Sequence, residues 1–167
     1  MRASEIPFGK YTRRFSPTEW PEGVLDRMNP SVLFALFALR ERMPPGAAFF
    51  PSPLPGAHVR DSGTSRHSIA GGRLSDATDF FVEWSWAFRV WMEAIRMDEI
   101  GGLGIYTDMV WKQPGRFAMF HIDTRPDQTL WLGWREGGVG TALEYVYFDK
   151  EPRKFMDLLA ARAGSGA

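Results

Sequence analysis

The chain contains no cysteine. That removes disulfides, thiolate nucleophiles and every sulfur-ligated metal centre, so any bound metal must sit on histidine and carboxylate. Histidine is nearly as scarce, with only His58, His67 and His121. An excess of charge of one sign is also missing: Lys plus Arg and Asp plus Glu number 20 each. The concentrated positive surface of a non-specific nucleic-acid binder is therefore not expected. Long apolar runs are absent too. The most apolar stretch, Val32 to Leu39, is too short to span a bilayer and ends in Arg40, Glu41 and Arg42. Met1 to Lys10 lacks the apolar core of a secretion signal, so synthesis as a cytoplasmic protein without membrane association is expected.

What the chain has is aromatic weight. Its 13 Phe, 7 Trp and 4 Tyr in 167 residues argue for one domain with a substantial buried core. Ser16-Pro17-Thr18-Glu19 has the form of a capped helix start, predicting a short helix to about Met28. Asn29-Pro30 repeats the signal and opens a buried helix over Pro30 to Met43, stopped by Pro44-Pro45-Gly46. A Pro-, Gly- and Ser-rich segment from Ala47 to Gly72 reads as a long loop, functional or disordered, with a brief strand at Ala48 to Phe50. A strand over Leu74 to Val82 and a Trp-rich helix over Glu83 to Met97 follow. Strands are then predicted at Leu103 to Thr107, Phe117 to Thr124, Leu130 to Trp134 and Glu144 to Phe148. Gly137-Gly138-Val139-Gly140 is the expected turn of a hairpin joining the last two. A helix over Glu151 to Arg162 and a loose tail over Ala163 to Ala167 close the chain. Helices followed by short strands predict an α+β domain, a small antiparallel sheet flanked by helices.

Chemistry concentrates in Ser65-Arg66-His67, in Ser75-Asp76-Ala77-Thr78-Asp79 and in Phe120-His121-Ile122-Asp123. A catalytic zinc takes three protein ligands and keeps one position open, a requirement that two His and one Asp meet. Against this stands the ordinary reading of a strand histidine as a hydrogen-bonded structural residue, and of Asp79 as a helix cap. His58, in the Pro-rich loop, reads as a surface residue. Trp131 and Trp134 fall on opposite faces of their strand, so at most one of them reaches a cleft.

Ser65-x-His67 with Ala77-x-Asp79 resembles the first motif, S-x-H-x-x-G-x-A-x-D, of the zinc D-Ala-D-Ala peptidases. That group includes cell-wall carboxypeptidases and phage endolysins and shares its fold with the hedgehog signalling domain. Gly101-Gly102-Leu103-Gly104-Ile105-Tyr106 and Phe120-His121-Ile122-Asp123-Thr124-Arg125 are similar to the family ending GGIGxY…FVHVDxR, and the helix ending in Leu39-Arg40 to its L…LR segment. The likeness covers about residues 30–134, with the last strand and helix outside it. It implies a hedgehog/DD-peptidase-like fold, Zn2+ held by His67, Asp79 and His121, and a peptidoglycan stem peptide as substrate. Arg60, matching the family's SGxR arginine, is the expected holder of a substrate carboxylate, with Arg66 as the alternative. The implied setting is a phage lysis enzyme, or a virion-borne muralytic protein with other virion proteins as partners.

The chain departs from the family twice. His67 and Asp79 stand twelve residues apart where the family has seven, which makes Asp76 a rival ligand and predicts a bulge at Gly71-Gly72. Three residues before the last histidine, where many members carry the general base, stands Ala118. Asp123 and Asp108 are the candidate bases in its place, and Asp123 is also a candidate to orient His121 from behind. A non-catalytic protein that retains the fold is the alternative function.

Overall fold

The computed structural model describes residues 2–108, 116–136 and 140–163. Four helices, α1 (Phe8–Tyr11), α2 (Pro30–Glu41), α3 (Trp84–Ala94) and α4 (Pro152–Ala163), accompany six strands. The strands are β1 (Phe49–Pro51), β2 (Ala77–Glu83), β3 (Gly102–Tyr106), β4 (Phe117–Asp123), β5 (Thr129–Trp134) and β6 (Glu144–Tyr147). They form one mixed sheet in the order β1-β2-β4-β3-β5-β6, antiparallel at every junction except the parallel β3–β5 pair. The chain is α+β, as expected, and the antiparallel pairing of β5 with β6 is the predicted one; the sheet as a whole is not the expected antiparallel one but mixed, because β5 adds to β3 in parallel. Positions 137–139 of the predicted turn lie outside the described residues, as does the tail 164–167.

α2 begins where its sequence signal stands: the Asn29 side chain accepts a hydrogen bond from Ser31 N at 3.0 Å and Pro30 occupies the first turn. The predicted helix from Ser16 to Met28 does not form. Its capping box is present, with Ser16 N donating to Glu19 Oε1 at 2.7 Å, but it closes only a 3-10 turn, Pro17–Glu19. Trp20 is extended, as a residue before proline tends to be, and Gly23 has φ +71°. A second 3-10 turn, Leu25–Arg27, follows. The first strand lies one residue later than predicted; β2 starts three residues late because Ser75 instead bridges Met28.

Strand alternation divides the sheet into two faces. One carries Phe80, Val82, Leu103, Ile105, Ala118, Phe120, Ile122, Leu132 and Val146 into the core beneath α2, α3 and α4. Each fully buried phenylalanine there contributes about 1.5–3 kcal/mol through removal of its surface from water. α2 is also packed by an N-terminal aromatic cluster in which Phe8, Phe15 and Trp20 meet Phe37 edge-on or tilted. Trp134 packs against this core and Trp131 points to the opposite face, as the alternation predicts. No helix among the described residues is long and apolar enough to cross a membrane.

Candidate metal centre

The face away from the helices is built in rows. Pairing registers place Asp79 of β2 beside His121 of β4, Gly104 of β3 beyond it, then Trp131 of β5 and Tyr147 of β6. The next row runs Ala77, Asp123, Gly102, Thr129. The row on the other side holds Met119, Tyr106, Gly133 and Tyr145. Large side chains in these rows lie across glycines. A Cβ on Gly104 would land inside the Trp131 indole, one on Gly102 inside the Asp123 carboxylate, and one on Gly133 against the Tyr106 ring. The Gly-Gly-x-Gly-x-Tyr segment is thus a template that lets polar and aromatic side chains lie flat on the sheet.

His67 comes from the long loop. The loop is tied down by a bridge between Arg60 and Ser68, by Arg60 N donating to His67 O at 2.8 Å, and by Asp76 N donating to Arg66 O at 3.0 Å. The added residues between His67 and Asp79 project outward as a 3-10 turn, Ala70–Gly72, with Gly71 and Gly72 at φ +73° and +77°. This is the bulge that the two glycines predict. His58, expected at the surface, is instead 2 % exposed. Its Nδ1 lies 2.7 Å from Thr78 Oγ1 and its Nε2 2.8 Å from Ser52 O. Burial pushes its pKa down, so a neutral ring donates from Nε2 to the carbonyl and clasps the loop to β2.

Three ligand atoms converge. His67 Nε2 is 3.0 Å from His121 Nδ1 and 3.3 Å from Asp79 Oδ1, and His121 Nδ1 is 2.9 Å from Asp79 Oδ1. All three residues are buried, and together they form a set able to hold a metal ion. Tetrahedral zinc with bonds of about 2.0–2.1 Å separates its ligand atoms by about 3.3 Å, close to this triangle. Asp76 is not part of it: its carboxylate accepts from Asn29 Nδ2 at 2.8 Å.

Hydrogen bonding constrains where the protons of this cluster sit. His121 Nε2 faces Asp123 Oδ2 at 3.0 Å, and an ionised carboxylate only accepts, so Nε2 carries a proton. In a neutral ring Nδ1 then turns a lone pair onto the Asp79 oxygen. A proton on Nδ1, an N–H donated by His67 Nε2, or a metal ion relieves that contact. His67 Nδ1, buried on the other side of its ring, has no partner among the described residues. The charges agree. Burial by itself would lower the His121 pKa, but its bonds to Asp123 and Asp79 raise it. Burial would likewise raise the Asp79 carboxyl, but the His67 and His121 rings hold it well below the usual carboxylate range.

Asp123 stands behind His121. Its buried carboxylate accepts from Arg125 Nε at 2.8 Å, Arg125 Nη2 at 2.5 Å and Arg125 N at 3.1 Å, besides His121. Opposing the penalty of burial, these bonds hold its pKa well below the ordinary value. Because it binds Nε2 while Nδ1 points at Asp79, Asp123 orients the ring from the side away from the ligand triangle. Asp108, the other candidate base, pairs with Arg162 and accepts from Arg135 N at 2.9 Å; it does not line the cleft. Ala118 is fully buried on the helix side of β4, three residues and hence one face away from His121. A carboxylate at that position would point into the core.

The triad opens to a cleft of about 210 Å³. Arg60, Ser65 and Arg66 line it from the loop; Tyr106, Trp131, Tyr145, Tyr147 and Arg125 line it from the sheet and the turn after β4. Both arginines expected to hold a substrate carboxylate are thus at the site. Arg125 and the three tyrosines join them, although sequence reasoning assigned these four no role. Burial, the Asp79 charge and Tyr145 push the Tyr106 hydroxyl up, keeping it a neutral donor. Comparison with known protein families, with curated proteins and with solved structures gives no match for this chain.

Proposed function

We propose that the chain is a metal-dependent peptidase of the zinc D-Ala-D-Ala peptidase type, with a hedgehog/DD-peptidase-like fold, acting on peptidoglycan stem peptides. The observation that carries this reading is the convergence of His67 Nε2, Asp79 Oδ1 and His121 Nδ1 beneath an arginine-lined cleft. A zinc ion held by His67, Asp79 and His121 would supply Lewis acidity and would lower the pKa of water at the site. Asp123 fixes the His121 tautomer that offers Nδ1 to the metal. Arg60 and Arg66, which make no ion pair among the described residues, hold the carboxylate of a peptide terminus. Tyr106 donates its hydroxyl proton toward the carbonyl oxygen under attack. The family resemblance suggests a phage lysis or virion-associated setting.

One observation favours a second reading. Among the described residues no carboxylate lines the cleft, and Asp123 is fully occupied by His121 and Arg125, so the described residues offer no proton acceptor of the usual type for hydrolysis. A module that binds metal and peptide without cutting would have this composition. Incubation of purified peptidoglycan with zinc-loaded protein, read as newly exposed amino groups and soluble fragments, separates the two. Release by wild type and not by His67→Ala supports the peptidase. Peptide binding with no release supports the binding module, and neither binding nor release contradicts both.

A further inference from the structure

The three arginines at the cleft are not equivalent. Arg60 and Arg66 come from the loop on the His67 side, whereas Arg125 follows β4 and reaches toward β5 and β6. A guanidinium carries five N–H donors arranged along two bidentate edges. On Arg125 the Nε–Nη2 edge is taken by Asp123, at 2.8 and 2.5 Å. The Nη1–Nη2 edge has no partner among the described residues. The group is stacked over the Trp131 ring, 5.3 Å from its centroid, and its side chain is 26 % exposed. Asp123 and the indole fix the plane of the guanidinium, so its open edge is presented in one orientation. Tyr147 also lines the cleft, and among the described residues no carboxylate does.

We infer that this open edge of Arg125 is a second anion subsite, on the β6 side of the metal ligands, so that the cleft takes peptides bearing two carboxylates. One belongs to the chain terminus and meets Arg60 and Arg66. The other belongs to an acidic residue of the peptide and meets Arg125. The inference rests on the peptide-cleft reading above and narrows its substrate class. Tyr145 and Tyr147, exposed on the same face of β6, flank the peptide between the two subsites.

Binding is tested at equilibrium, on uncut peptide, in EDTA. The probes are dansyl-Glu-Ala-Ala, dansyl-Ala-Glu-Ala and dansyl-Ala-Ala-Glu, in L and D forms, each beside its Gln counterpart, read by fluorescence anisotropy at low salt. A charge-assisted bidentate pair gives at least one Glu probe about tenfold tighter binding than its Gln partner. Arg125→Lys keeps a cation for Asp123 and loses the open edge, so the preference collapses while thermal melting shows an intact fold. Arg60→Gln with Arg66→Gln weakens Glu and Gln probes alike and keeps their ratio. Equal binding of Glu and Gln probes by wild type overturns the inference, even should Arg125→Lys fail to fold. A preference that persists in folded Arg125→Lys also overturns it. Preference without hydrolysis of peptidoglycan retains the subsite and drops the peptidase; hydrolysis without preference does the reverse.

Discussion

Replacing Asp123 by Asn changes one atom and tests how the centre is held. The aspartate spends Oδ2 on His121 Nε2 and Arg125 Nη2, and Oδ1 on Arg125 Nε and N. An asparagine has one acceptor oxygen. With that oxygen toward His121, its NH2 group opposes the Arg125 donors. With the oxygen toward Arg125, its NH2 group faces His121 Nε2, and the ring responds by moving its proton to Nδ1, the atom that must be free for a metal. Loss of such a partner costs about 10- to 100-fold in metal affinity, about 1.4–2.7 kcal/mol. Because Arg125 keeps access to water, the added loss of fold stability falls near about 1–3 kcal/mol. A zinc titration against a chromophoric chelator at neutral pH reads the first quantity, and urea unfolding of the metal-free protein the second. Asp108→Asn, away from the cleft, is the control and leaves zinc affinity within about twofold. Wild-type zinc affinity in a folded Asp123→Asn protein would refute the orienting role.

Three further outcomes are expected. Gly104→Ala puts a methyl group into the space of the Trp131 indole, which lies against His121, and lowers stability by about 1–3 kcal/mol in urea unfolding; an unchanged midpoint would contradict the template role of the glycines. In metal-free protein the His121–Asp79–Asp123 cluster contributes most between about pH 4 and 6.5, while buried neutral His58, with its lowered pKa, acts in the opposite sense as pH falls below 6.5. The depressed Asp79 and Asp123 contributions are lost as pH falls below the normal carboxylate range, and the raised His121 contribution is lost as pH climbs above 6.5. Excess zinc reverses the alkaline limb, because the metal needs deprotonated ligands, and parallel curves with and without zinc would speak against the site. Ala118→Glu buries a carboxylate in the core, costs about 3 kcal/mol or more, and adds no hydrolysis; a gain in fragment release would reverse that geometry.

Local signals in the sequence carried a good part of this architecture. Asn29-Pro30 announced α2, and strand alternation put Trp131 and Trp134 on opposite faces, because caps and period-two patterns act within a few residues. The capping box at Ser16 misled for the same reason: it forms, but Pro21 and Gly23 end the helix that it starts. Parallel pairing of β3 with β5 has no local cause and was not legible. The candidate ligands were reached through the motifs, and the structure groups Asp79 and not Asp76 with the two histidines because β2 pairs it directly with His121. His58 was misread because a Pro-rich loop looks exposed until its contacts with Ser52 and Thr78 are known. Arg125 stood in the matched ending, two residues after Asp123, and that spacing was the signal for its role. Tyr145 and Tyr147 alternate correctly for one face, but only the pairing of β6 with β5 turns that face toward the cleft.

The most direct test of the centre is zinc content by elemental analysis of purified protein, with Asp79→Ala and His121→Ala prepared alongside. One zinc per chain in wild type, lost in both folded variants, is the predicted result. Wild type that takes up no zinc, or variants that keep it, would contradict the metal centre on which the proposed function depends.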